Sequence, residues 1–120
     1  MLASEIVYMT LEDEFSGAVY PAPRDDSITS VVPYVAYQNI SLMPENTIDG
    51  FTGHSFVRMQ INVYDYDSIN VEKLAFKIVK LMQNQALATC EFISISDSSR
   101  DATKLYGKMI DFYISQCVGA

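Results

Sequence analysis

The chain has a single histidine, His54, next to Gly53 where a loop is predicted to run into a strand. Imidazole is the side chain best suited to proton transfer near neutral pH, so His54 is the first candidate for a general base. Nothing around it completes a catalytic set, and a solvated loop histidine accounts for it without chemistry. The two cysteines, Cys90 and Cys117, form no Cys-x-x-Cys, and with one histidine they make no zinc set of ordinary spacing. Each sits in an apolar stretch, where a thiol behaves as a small buried hydrophobe; a bridge between them requires their strands to pair. Asp65 and Asp67 flank Tyr66 but lack the following Gly and the terminal Glu of a calcium loop, and a helix start explains them better. Gly50-Phe51-Thr52-Gly53 is followed by neither Lys nor a helix, so it is no phosphate cradle. There is no Gly-x-Gly-x-x-Gly and no Gly-x-Ser-x-Gly. The expectation is a protein with no catalytic residues, no metal and no cofactor.

The remaining charged patterns suit contact rather than catalysis. Glu12, Asp13 and Glu14 crowd the end of a predicted N-terminal helix; Lys73, Lys77 and Lys80 form a basic stripe on a later one. Each reads either as a solvated face or as a surface that meets an oppositely charged neighbour. Asp49 and Phe51, in the loop between two predicted strands, join them as candidate assembly residues. The net charge is −7, and it is uneven. Residues 1–67 carry ten acids against two bases, a net of −8, while residues 68–120 carry five acids against six bases, a net of +1. An acidic chain of this kind disfavours binding through nucleic-acid phosphates. Tyr34, Tyr37, Tyr64, Tyr66, Tyr106 and Tyr113 fall in or near strands, but base stacking on a sheet needs basic surroundings that are missing here. Sheet packing or a protein interface is the better account of them.

The elements that would position these residues are legible from periodicity. With 120 residues, 49% of them apolar, one domain spanning residues 1–120 is expected. No segment reaches the roughly 18 apolar residues of a membrane span. The first residues lack a basic region and carry Glu5, unlike a signal peptide. Residues 2–14 read as a short helix with Leu2, Ile6, Val7 and Met9 near one face, frayed at its acidic end by the helix dipole and stopped by Gly17. Ala18-Val19-Tyr20 is a short extended piece, and residues 22–32 are a polar loop. Pro33 opens a strand from Tyr34 to Ile40. Residues 42–53 read as a loop or a long hairpin tip. Ser55 to Tyr66 alternates cleanly, Val57, Met59, Ile61 and Val63 on one side, Arg58, Gln60 and Asn62 on the other. Asp67 and Ser68 supply capping oxygens for a helix over about 69–85, whose Val71, Leu74, Ala75, Ile78, Leu81 and Met82 fall at core-facing spacing. A short strand follows at Glu91 to Ser96, then a turn at 97–103. Leu105 to Cys117 is the last strand, with Tyr106, Ile110, Phe112 and Ile114 on one face, Lys108 sharing that face, and a loose tail beyond. There is no internal repeat. The order implies an α+β domain: a mainly antiparallel sheet of about four strands, with an N-terminal helix and one long amphipathic helix packed on one face.

Three stretches read together resemble a known family. They are Val19-Tyr20-Pro21 followed by Pro33-Tyr34-Val35-Ala36-Tyr37-Gln38, the strand Phe56 to Asp65, and the helix Val71 to Leu81. This is similar to the small tail-completion or tail-terminator proteins of tailed phages and prophages, which often carry a VYP … LPYVVYQ … R-x-Q-x-x-V-Y pattern before an amphipathic helix. The similarity covers roughly residues 17–117. Val31-Val32 stands where the family has Leu before the proline, and the 42–53 segment is long for it. The resemblance implies a non-enzymatic virion protein at the tail–head junction, present in the host cytoplasm during assembly. It also implies a ring, most often hexameric, that ends the tail tube and joins it to the head connector or neck proteins. Its partners would then be further copies of itself, the tube protein and the connector. The other reading of the residues is a small α+β ligand-binding or regulatory domain. Within the assembly reading, the 42–53 segment is expected to be mobile in the free subunit and ordered on assembly. Replacing Lys73 and Lys77 by Glu is expected to weaken assembly without unfolding the domain.

Overall fold

A computed structural model describes residues 2–15, 19–21, 33–48, 50–100 and 105–117. Five strands form one sheet: β1 (Val19–Pro21), β2 (Tyr34–Thr47), β3 (Gly50–Asp65), β4 (Cys90–Arg100) and β5 (Leu105–Cys117), in the order β1-β2-β3-β5-β4. β1 runs parallel to β2, and every other pairing is antiparallel. Two helices, α1 (Ala3–Leu11) and α2 (Ser68–Asn84), complete the α+β fold. Since β3 and β4 are both antiparallel to β5, they are parallel to each other, and α2 joins them across it. This is a split β-α-β unit built around the central strand.

The alternation read in β3 decides the core. Val57, Met59, Ile61 and Val63 are all buried, and the ladder sets them against Ile114, Phe112, Ile110 and Lys108 of β5. Val71, Ala75, Ile78 and Met82 of α2 close over this face, with Leu74 and Leu81 at its margins. Asp67 caps α2 as its composition demands: its Oδ1 accepts from the Ile69 N–H at 3.0 Å. Asp65 backs the same turn, accepting from the Tyr66 N–H at 2.7 Å and from Asn70 Nδ2 at 2.5 Å. Both aspartates therefore serve the helix start.

Several elements differ from the sequence reading. α1 ends at Leu11, and Glu12, its C-cap, with Asp13 and Glu14 lies in the turn beyond it, at the negative end of the helix dipole, in keeping with the fraying expected there. Its buried face is Ala3, Ile6, Val7 and Leu11, while Leu2 and Met9 are exposed. The helix is turned by its neighbours: Gln116 Oε1 accepts the Ala3 N–H at 3.0 Å and ties its first turn to β5. Of the two readings of the 42–53 segment, the structure takes the long hairpin tip. β2 and β3 pair all the way to Thr47 and Gly50, with bulges between Asn39 and Ser41 and between Pro44 and Asn46. The first bulge leaves Ile40 without a ladder partner and the second sets Glu45 against residues 52–54, while Gly50, at φ 111°, supplies the positive dihedral beside the turn. β4 likewise continues through 97–100, where a turn was expected. Tyr106 keeps the predicted parity, opposite Asp65, but it borders the cleft beside the start of α2 and is exposed. Gly17, Ala18, the 22–32 loop, residues 101–103 and the last three residues lie outside the described residues.

Candidate assembly interface

The chemical candidates stay apart. His54 is exposed at the rim of a cleft of about 260 Å³ shared with Ile6, Leu87, Ala88, Thr89, Ser115 and Gln116. Cys90 is opposite Ile114 in the ladder and Cys117 opposite His54, so the two cysteines do not face one another, and Cys90 is a free thiol. Burial pushes its pKa up to about 12. Among the described residues, no three His, Cys, Asp or Glu side chains gather closely enough to hold a metal ion. No helix among them is long and apolar enough to cross a membrane. A second cleft, about 380 Å³, opens between the start of α2 and the end of the sheet, lined by Ser68, Val71, Glu72, Asp97, Tyr106 and Lys108. Lys108 pairs there with Asp97. That hydrogen bond is the main reason its pKa lies above the ordinary lysine value.

The two charged clusters meet each other within one chain. α1 packs on α2, and this brings Glu14 Oε1 to 2.5 Å from Lys77 Nζ. The middle lysine of the stripe is thus engaged internally. Lys73 and Lys80 are exposed, and among the described residues no carboxylate lies within ion-pair distance of either. Glu12 is half-buried and Asp13 exposed. Asp49 lies outside the described residues, as does the side chain of Phe51.

The sheet face away from the helices is polar along its centre. Arg58 Nη2 donates to Asp111 Oδ2 at 3.0 Å, and Gln60 and Asn62 follow on β3. Arg58 Nε, Asn62 Oδ1 and Asp111 Oδ1 are buried without a hydrogen-bond partner among the described residues. Towards one edge, Tyr34 and Tyr64 stack with ring centroids 5.1 Å apart, and Tyr20 meets Tyr34 edge-on at 6.5 Å. These tyrosines pack in the sheet, in keeping with their sequence reading.

Sequence reasoning missed two apolar exposures. Ile40, Leu42, Met43, Ile48 and Phe56 line the β2–β3 hairpin, and Ile69 and Phe76 stand on the outer side of α2. The signal for the first was present: Leu42, Met43 and Ile48 are apolar residues within a segment read as a loop or a long hairpin tip.

No protein-family model and no curated protein matches this chain. Its fold, however, superposes on a chain from a solved structure of the virion of a native gene transfer agent particle. The TM-score is 0.68, and the match covers 97% of this chain and 95% of that one, at 14% identity. A virion protein shares this fold. At that identity the likeness speaks for the architecture: the same sheet and helices from end to end, with no long insertion in either chain.

Proposed function

We propose that this chain is a structural protein of a phage-type virion. It forms a ring that ends the tail tube and joins it to the head connector. The observation that carries the reading is the end-to-end likeness to a virion chain, which leaves almost nothing of either protein unmatched. The tail-completion resemblance of Val19–Pro21, Pro33–Gln38, Phe56–Asp65 and the following helix supports the terminator role in particular. So does the distribution of surface features: apolar side chains stand exposed on a projecting hairpin and on α2, where a lone globule has no use for them. On this reading the chain works by contact and turns over no substrate. Its partners are further copies of itself, the tail tube protein and the neck or connector proteins, and its place is the tail–head junction.

Light scattering of the purified protein over a concentration series tests this. A discrete species near six subunits, confirmed as a ring by electron microscopy, is expected. A monomer at every concentration that also fails to bind isolated tail tubes would overturn the proposal and return attention to a ligand-binding domain.

A further inference from the structure

Two surfaces of the chain are complementary but cannot satisfy each other within one subunit. The first is the outer ridge of α2. Ile69, Lys73, Phe76 and Lys80 fall at i, i+4, i+7 and i+11, on the side opposite the buried Val71, Ala75, Ile78 and Met82. Ile69 is 63% exposed and Phe76 60%, flanked by the two lysines that have no acidic partner among the described residues. The second is the β2–β3 hairpin. Met43 and Phe56 are directly opposed across it, 51% and 48% exposed, and Leu42 and Ile48 are exposed nearby. Residues 40–57 contain no Lys or Arg and two acids, Glu45 and Asp49.

The hairpin has little else to rest on. β1 pairs only with residues 35–37 of β2, and β5 reaches only as far as His54 of β3. Among the described residues the tip beyond His54 is therefore a two-stranded ribbon; Phe56, opposite Ser115 of β5, and Met43 stand at its base, on the sheet face away from the helices. One surface is apolar with acids, and the other is apolar with bases. Met43 and Phe56 stand on the sheet face away from α2 and the ridge on the outer side of α2, so one chain cannot join them; their contact is heterologous and repeats from copy to copy.

We propose that the β2–β3 hairpin of one copy seats on the Ile69–Phe76 ridge of α2 in the next, with Met43 and Phe56 against Phe76 and the lysines Lys73 and Lys80 facing the acidic hairpin. The proposal rests on the self-assembly reading above and names its contact. It differs from a simple lysine stripe in leaving Lys77 out, because that side chain is held by Glu14.

The test uses two full-length variants: Phe56→Asp, which spoils the hairpin, and Phe76→Asp with Lys80→Glu, which spoils the ridge. Circular dichroism should show both folded, since all three side chains are exposed. Each variant alone should remain monomeric by light scattering and native mass spectrometry. Mixed, they should form a one-to-one dimer and nothing larger, because each retains the half that the other has lost. If either variant still assembles like the parent, this contact is wrong while the ring reading stands. If both fail to assemble and their mixture gives no dimer, the hairpin and ridge do not meet each other, and the inference falls. A parent chain that never assembles would remove both readings together.

Discussion

Gln85 offers a sharp test of the packing that holds α2 to β4. Its amide fills the turn after the helix: Nε2 donates to the Met82 carbonyl at 3.1 Å and to the Ala88 carbonyl at 2.6 Å. Oε1 accepts from the Leu87 N–H at 2.7 Å and from the Ala88 N–H at 3.1 Å. Gln85→Ala removes all four bonds. A net hydrogen bond contributes about 1 kcal/mol, so the ceiling is about 4 kcal/mol. Leu87 is exposed and Ala88 only half-buried, so water recovers part of this, and about 2 kcal/mol is the expected loss. For a domain of this length that lowers Tm by about 8 °C. Gln85→Glu should be worse than Ala at neutral pH, because a carboxylate then faces two carbonyls at the negative end of a helix, and it should recover as the pH falls and the carboxyl protonates. The assay is thermal unfolding by circular dichroism, with Gln83→Ala, exposed on the same helix, as a control expected to change little. A fall in Tm below about 2 °C for Gln85→Ala would show that water replaces the amide without loss and would refute this account.

Other consequences follow from the same structure. Phe112 is fully buried, beside Phe92 at 5.8 Å and opposite Met59; Phe112→Ala should cost about 3–5 kcal/mol in chemical denaturation, and a loss under 1 kcal/mol would contradict its place in the core. Gly50→Ala should destabilise the hairpin by about 1–2 kcal/mol through backbone strain alone, since an added Cβ meets no atom within 4 Å. Cys90, its pKa raised by burial to about 12, should react with iodoacetamide at pH 8 at least about tenfold more slowly in the native protein than in guanidinium, measured in a Cys117→Ser background. The raised value also gives a sign. Below about pH 9 the native thiol and the unfolded thiol are both protonated; above it only the unfolded one ionises, so its contribution to stability is lost between about pH 9 and 12, and Cys90→Ala should flatten that part of the stability profile.

By itself, the sequence determined the elements whose periodicity is written in consecutive residues. The alternation of Val57, Met59, Ile61 and Val63 gave the central strand and its buried side. The spacing of Val71, Ala75, Ile78 and Met82 gave α2 and the face it buries, and Asp67 gave its start. Leu105 to Cys117 gave β5 with both ends in place. These patterns are local because burial on one side of a strand or helix repeats with the element's own period. What lies between partners distant in the chain was decided by tertiary structure. The hairpin over 42–53 forms because each strand supplies the other's hydrogen bonds, which outweighs the poor strand propensity of Pro44, Asn46 and Gly50. The turn of α1 is set by Gln116, 113 residues away, reaching back to Ala3. The acidic trio and the lysine stripe look in sequence like two halves of an interface between copies. Folding brings Glu14 to Lys77 within one chain and leaves Lys73 and Lys80 exposed, because a charge pairs with whatever packing places within a few ångströms, and no one-dimensional pattern records that distance.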